Sequence, residues 1–296
     1  MLPLYYLGLF LCSATSTFAT QKYGRNTKSY RDIFVFAIVT GILAMTIFFF
    51  LTGCTLEFSL RSILYAAFYA LLVLASYFTR LPVYRYMGIA EVGVITSGGS
   101  LLFTMLLGIL LFNETFTIFT GLKLGLMLGA FWFLFATKRQ KNNPTIKHAL
   151  GPGLSLCAAI IAIGVLSSGF SKTIASDPLV PDANSLFFFT NVFTTLFASL
   201  FLFLQCKGNV ASVASQFRSI TPPQYFTIFV GTAASNVQSL LAVLILASDA
   251  LSLYAPLSSA LGILATEVVA VCIAHEKPKI LPVALASTSM LLSFFG

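Results

Sequence analysis

The sequence contains few charged residues. Only 9% of its 296 residues are Asp, Glu, Lys or Arg and 58% are hydrophobic, whereas soluble domains carry about 25% charged residues. This composition excludes a soluble fold. One bilayer crossing takes about 20 apolar residues, so ten helices leave no room for a sizeable aqueous domain. The net charge of +8 does not indicate a nucleic-acid-binding protein, because most basic residues lie between apolar runs.

Residue patterns needed for several kinds of chemistry are also missing. Five scattered cysteines include no CxxC pair, so we expect neither a metal nor another cofactor. The absence of GxxxxGK[ST] excludes a phosphate-binding loop, and the absence of HExxH excludes one class of metalloprotease. The histidines, His148 and His275, are expected in connections. The chain is therefore not expected to be an enzyme, and a membrane-embedded enzyme is the least favoured alternative.

The apolar runs predict an all-α membrane protein. They do not alternate with polar residues as the strands of a membrane barrel would, and an unpaired backbone has no partner in lipid. Residues 1–7 contain no Lys or Arg, so the first run is predicted to remain a helix rather than act as a secretory signal. Ten transmembrane helices are predicted, at residues 2–20, 33–52, 60–79, 88–111, 116–137, 150–170, 184–205, 224–247, 250–274 and 280–295.

The two halves of the chain resemble each other. Thr96 and Glu114 correspond to Ser258 and Glu276, and the members of each pair are 162 positions apart. We predict a first repeat at residues 1–137, a basic linker at 138–149 and a second repeat at 150–296. Because each repeat has an odd number of helices, the two copies are expected to lie in opposite orientations, as a 5+5 inverted repeat.

The fourth predicted helix ends in Leu111-Phe112-Asn113-Glu114-Thr115-Phe116-Thr117, and a related signature, Ala274-His275-Glu276, ends the ninth. With the repeat, these residues resemble the EamA-type family of the drug/metabolite transporter superfamily. His275 departs from the Gly or basic residue more usual there. The resemblance implies a secondary carrier of a small organic solute, with helices 1, 3, 4, 6, 8 and 9 around its path.

A flippase of a lipid-linked phosphate on the same fold is the alternative within this architecture. The expected partners are a small solute and membrane lipids, with no nucleic acid, and the sequence leaves a homodimer open. It does not identify the solute, the direction of transport or a coupling ion.

Basic residues are concentrated in alternate connections. The positive-inside rule therefore predicts that the odd-numbered connections face the cytoplasm of a multi-pass protein in the cell membrane, with both termini outside. The even connections hold only Arg61 and Lys172, and Lys123 lies in the fifth span. The odd connections hold Lys22, Arg25, Lys28, Arg31, Arg80, Arg85, Lys138, Arg139, Lys141, Lys147, Lys207, Arg218, Lys277 and Lys279.

Ionisable residues within the spans are candidates for binding solute or a coupling ion. Glu267 precedes His275 by two helical turns, or about 12 Å, so its carboxyl is predicted to lie deep in the membrane, either as a proton or cation site or hydrogen-bonded to another helix. Lys22 and Lys172 occupy related places, since each closes an apolar run, the first and the sixth. They either approach one cavity and bind an anion or, as we prefer for single lysines, reach lipid headgroups.

Polar and small residues complete the candidate set. Asn191, Asn236 and Gln238 are predicted to line a cavity or to join helices through hydrogen bonds. Gly121, Gly125 and Gly129 repeat every four residues on the fifth helix, which is typical of close helix packing. Gly98 and Pro256, in the fourth and ninth helices, are predicted to bend or hinge them.

Overall fold

The computed structural model describes residues 2–27, 29–112, 117–139, 144–175, 177, 180, 182–248, 251–278 and 280–292. Over these residues the chain is helical and contains no strand, which confirms the all-α prediction. Eleven helices occur in this part of the chain: α1 (Leu2–Asn26), α2 (Tyr30–Leu51), α3 (Leu60–Val83), α4 (Ile89–Phe112), α5 (Ile118–Arg139), α6 (Pro144–Ala175), α7 (Ala183–Gln205), α8 (Val210–Arg218), α9 (Pro222–Ser248), α10 (Leu251–Cys272) and α11 (Ile280–Leu291).

The described part of the structure has one helix more than the ten spans that the sequence predicted, and ten transmembrane helices stay a prediction. Each predicted span overlaps one of the long helices, and α8 is the addition between the seventh and eighth spans. It has nine residues, begins after the capping side chain of Asn209 and has no buried residue. Val213 and Phe217 of α8 pack against the cluster between α2 and α7. A search for long apolar runs does not detect such a short amphipathic helix.

Several helices extend past the predicted ends of their spans. α3 continues to Val83, so Arg80 lies in its last turn and not in a connection, and α6 begins at Pro144, so His148 is helical. The prediction ended helices at charged residues, but a long charged side chain reaches polar surroundings from a helix that continues. Residues 138, 139 and 144–149 of the predicted linker are likewise helical, and 140–143 lie outside the described residues.

Four helical segments among the described residues are long and apolar enough to cross a membrane: Tyr30–Leu51, Leu60–Val83, Gly151–Ser171 and Asn184–Gln205. The outer surface fits this property, since large apolar side chains such as Trp132 (74% exposed) and Ile118 (88% exposed) project from α5. Extended apolar surface of this kind is unusual for a monomer in water and is expected where lipid is the solvent.

Helices from the two halves of the chain pack against each other. Extensive contacts join α2 to α7, α1 to α9, α4 to α10 and α5 to α11. α6 packs on α3 and α4, α1 on α10, and α7 also on α3. The core is therefore formed between the two halves.

The ends of α2 and α7 have the same backbone geometry. Two consecutive residues with positive φ follow each helix, Gly53 and Cys54 after α2 and Lys207 and Gly208 after α7. Each second residue donates its amide to a carbonyl five positions back, Cys54 to Phe49 at 3.1 Å and Gly208 to Phe203 at 3.0 Å. These hydrogen bonds satisfy carbonyls that would otherwise lack a partner at a helix C-terminus.

Side-chain contacts gather alternate connections at opposite ends of the bundle. At one end, Arg25 Nη2 lies 3.4 Å from Glu276 Oε1, and Arg31 donates to the Gln205 carbonyl at 3.2 Å. At the other end, Arg61 Nη1 lies 3.3 Å from Asp177 Oδ2. The first set joins the end of α1 to the segment after α10, and the start of α2 to the end of α7. The second joins the start of α3 to the segment after α6. We call these the odd and even ends.

Candidate functional site

A cavity of about 280 Å³ lies between the halves, enclosed by α1, α3, α4, α6, α9 and α10. α9 and α10 are the eighth and ninth predicted spans, so these are the six helices that the family resemblance indicated. The residues that line the cavity are Ser13, Ser16, Thr17, Arg80, Val83, Tyr84, Val92, Gly93, Thr96, Ser97, Ser100, Ile160, Ser168, Gln238, Ser258, Gly262 and Thr266.

Hydroxyl groups dominate the polar wall of this cavity. Nine of its lining residues are Ser or Thr, contributed by α1, α4, α6 and α10. Several donate their own proton to a carbonyl of the same helix: Thr96 to Val92 at 2.7 Å, Ser168 to Gly164 at 2.9 Å and Thr266 to Ile263 at 2.8 Å. A hydroxyl whose proton is already donated still offers oxygen lone pairs. Thr96, Ser168 and Thr266 therefore present hydrogen-bond acceptors to the cavity.

Gln238 is the only amide side chain among the lining residues that the structure describes, and it belongs to α9. Its Oε1 accepts a hydrogen bond from Ser16 Oγ at 3.4 Å, which joins α1 and α9 across the cavity wall. This contact leaves the two N–H groups of the amide as possible donors to a bound molecule.

Glycine allows α4 to approach its neighbours closely around the cavity. A Cβ on Gly93 would overlap the side chain of Thr266 in α10. A Cβ on Gly262 would lie 3.1 Å from Ser97 Oγ. Two helices at this separation bring their hydroxyls to one cavity, and any larger residue at these positions would enter it or push the helices apart.

Arg80 is the single charged residue among those that the structure describes in the cavity wall. It lies in the last turn of α3, is exposed, and has no described carboxylate within ion-pair distance. Tyr84 follows one turn later as the residue that caps α3. Burial raises the pKa of Tyr84 to about 12, although the nearby Arg80 favours its ionisation. Tyr84 is thus a neutral phenol at neutral pH and does not neutralise Arg80.

At the odd end, the side chain of Glu276 ties together α1, α4 and α10. Its Oε1 accepts a hydrogen bond from the Ile89 amide at 3.2 Å, at the N-terminus of α4, besides contacting Arg25. An acidic group at this place is stabilised by the unpaired amides of the helix. The preceding His275 has φ +52°, a conformation that glycine adopts without strain and that other residues rarely adopt.

The structure brings one member of the predicted polar set to the cavity and leaves others outside. Gln238 lines it, but Asn236 donates to the Thr232 carbonyl of its own helix at 2.9 Å. Residues two apart on a helix do not share a face, so Asn236 and Gln238 do not line the cavity together. Asn191 is also outside: it donates to the Phe187 carbonyl at 2.8 Å, in the helix that packs on α2.

The ionisable candidates likewise lie away from the cavity lining. Lys22 is exposed, with Nζ 5.6 Å from the centre of the Phe18 ring. It is five residues beyond Thr17, which turns it about 140° away around an α-helix, and it is not among the described lining residues. Oε2 of Glu267 is buried, but Glu267 is not a lining residue, unlike its neighbour Thr266. The Lys172 side chain and all of Glu114 lie outside the described residues.

The predicted glycine face of α5 makes no close helix contact within the chain at Gly125, where an added Cβ would meet nothing within 4 Å. At Gly129 the nearest atom, Leu285 Cδ1, would be at an ordinary 3.7 Å, and Gly121 is half-buried. Close approaches occur elsewhere, as between Gly24 and the Leu81 backbone and between Gly41 and Thr195. Gly98 is buried within α4, and α10 continues through Pro256, whose side chain lies outside the described residues.

Sequence reasoning missed Arg80 and the hydroxyls of α1 and α4. Their spacing was an available signal: Ser13, Ser16 and Thr17, and likewise Thr96, Ser97 and Ser100, are separated by one, three or four positions and share a helical face. Arg80 was assigned to a connection, so it contributed only to the charge count.

No protein-family model and no curated protein matches the chain. A solved crystal structure of another protein is similar in fold, with a TM-score of 0.64 at 15% sequence identity, over 99% of this chain and 97% of that one. At this identity the likeness concerns the fold alone, and it extends over nearly the whole of both chains.

Proposed function

We propose that this protein is a secondary active carrier of a small organic solute, built as an EamA-type 5+5 inverted repeat that works by alternating access. The observation that carries the proposal is the hydroxyl-rich cavity between the two halves. Polar groups are costly within a membrane, so a polar cavity between apolar helices indicates a function for those groups. A path for a solute is such a function.

The helix packing supports the repeat. Let α1 to α5 exchange places with α6, α7, α9, α10 and α11, respectively. This exchange leaves the contacts of α2 with α7, α4 with α10 and α5 with α11 unchanged. It converts the contact of α1 with α9 into that of α6 with α3, and the contact of α1 with α10 into that of α6 with α4. All of these contacts occur in the structure. The matching ends of α2 and α7 follow the same exchange, and α8 is an insertion in the second half.

The contacts at the odd end support a closed state on that side. Glu276 joins three of the six cavity helices, and below it Ile89, Ala90, Val269 and Ala270 form an apolar cluster between α4 and α10. In alternating access these contacts would form in one half of the cycle and separate in the other. By the charge distribution, this end faces the cytoplasm.

Flux measurements in proteoliposomes test the carrier proposal. The purified chain should raise the uptake or efflux of at least one solute in a panel of neutral, anionic and cationic metabolites above that of protein-free vesicles, with saturation at high concentration. Lipid-linked phosphates belong in the panel, because translocation of these alone would indicate a flippase. If no solute or lipid moves faster than in empty vesicles, the carrier proposal is wrong.

A further inference from the structure

We propose that the solute is a small organic anion rich in hydroxyl groups, whose oxyanion binds to Arg80. This inference rests on the proposed carrier function and narrows its substrate class. It follows from the charge, the hydrogen-bonding groups and the size of the cavity.

The charge of the cavity wall selects for an anion. Among the described residues of the wall, Arg80 is the one that carries a charge, and none is Asp or Glu. An arginine that lines a cavity between apolar helices is favoured by a counter-charge, and the planar donors of its guanidinium match a carboxylate or phosphate. Tyr84, the neutral phenol beside it, does not supply that charge. A cationic solute would be repelled by the same group.

The hydrogen-bonding groups indicate hydroxyls on the rest of the solute. Thr96, Ser168 and Thr266 already donate their protons to helix carbonyls, so their oxygens remain as acceptors. Acceptors are satisfied by a molecule that brings donors. A polyol has several O–H donors, whereas an aliphatic acid would leave these oxygens without partners at a cost in free energy.

The cavity is small, and the positive charge of its described residues comes from the first half of the chain alone. Its volume of about 280 Å³ is just below the range of about 300–1,000 Å³ for sites that hold drug-sized ligands. It therefore suits a solute the size of one sugar unit. The position 162 residues after Arg80 is Ala242, so the repeat supplies no second arginine. A solute with one oxyanion, at one end, would therefore match the single arginine.

Binding of three probes to the purified protein tests the inference. Gluconate and glucose 6-phosphate carry a carboxylate and a phosphate on a similar polyol, and glucose lacks the charge. We expect at least one of the two anions to bind, measured by calorimetry and by a rise in unfolding temperature, and glucose to bind about tenfold or more weakly, because it forms no charged hydrogen bond. Comparing the two anions distinguishes carboxylate from phosphate recognition.

Variants of Arg80 identify the residue responsible. Arg80→Gln should weaken binding of the preferred anion about tenfold or more and leave glucose unchanged, and Arg80→Lys should retain part of the preference. Arg85→Gln is the matched control, because Arg85 is exposed in the α3–α4 connection and does not line the cavity. If Arg80→Gln damages the fold, its unfolding temperature without ligand would be lower. In that case the test uses the binding preference of Arg80→Lys for the anion over glucose.

Two results would overturn this inference: neither anion binds, or both bind Arg80→Gln as tightly as the unaltered protein. If the flux panel then reveals a neutral or cationic solute, the carrier function still holds and only the substrate class is wrong. If the panel reveals no flux at all, the carrier function fails as well.

Discussion

Replacing Gly24 with alanine is expected to destabilise the helix bundle by about 1–3 kcal/mol, the usual cost of overpacking. Gly24 lies in α1, and a Cβ there would overlap the backbone carbonyl oxygen of Leu81 in α3. A flexible side chain could rotate away, but a helix backbone must move as a unit. The unfolding temperature of the purified protein in detergent should fall, and the folded yield with it.

Gly125→Ala is the matched control for this prediction. It is the same substitution in another helix, but the added methyl group meets no atom within 4 Å. Alanine forms helices better than glycine by about 1 kcal/mol, so stability should be unchanged or slightly higher. Equal losses in the two variants would contradict the helix packing described for α1 and α3.

Replacing Ser97 with leucine is expected to reduce transport about tenfold or more while the protein stays folded, because the larger side chain takes up part of a cavity of only about 280 Å³. Ser97 lines the cavity opposite Gly262, whose added Cβ would lie 3.1 Å from Ser97 Oγ. Initial rates of flux in proteoliposomes, normalised to reconstituted protein, measure the effect.

The control for Ser97→Leu is Ser155→Leu on α6. Ser155 is exposed and, like the cavity threonines, donates its proton within its own helix, to the Gly151 carbonyl at 3.0 Å. Transport should continue at the original rate. If Ser97→Leu transports as well as Ser155→Leu does, the solute does not pass through this cavity.

The sequence predicted the long helices well, because a run of apolar residues is required wherever a chain crosses lipid. It predicted individual side chains less well. Asn236 was correctly placed within a helix, and Lys22 was counted in the connection after the first span although α1 extends past it. A polar residue in or beside an apolar span does not reveal which face of the helix meets the cavity. That direction depends on how α1 and α9 are rotated against their neighbours, which packing decides.

Arg80 illustrates the opposite difficulty. A charged residue near the end of an apolar run looks like part of a connection, and the positive-inside rule accounts for it there. Only the extension of α3 to Val83 and the position of α4 beside it bring the guanidinium into the cavity wall. The close approach of α1 and α3 at Gly24 was likewise hidden, because one glycine gives no repeating pattern, whereas the conspicuous glycines of α5 have no such contact at Gly125.

Alternating access is tested most directly by thiol labelling of Ser100→Cys in a variant with its native cysteines replaced. Ser100 lines the cavity between α4 and α6, and a Cβ on Gly164 would lie 3.2 Å from its hydroxyl. A membrane-impermeant reagent should label this cysteine when added to either side of sealed vesicles, because the cavity opens to each side in turn. Labelling from one side only, or from neither, would contradict the account.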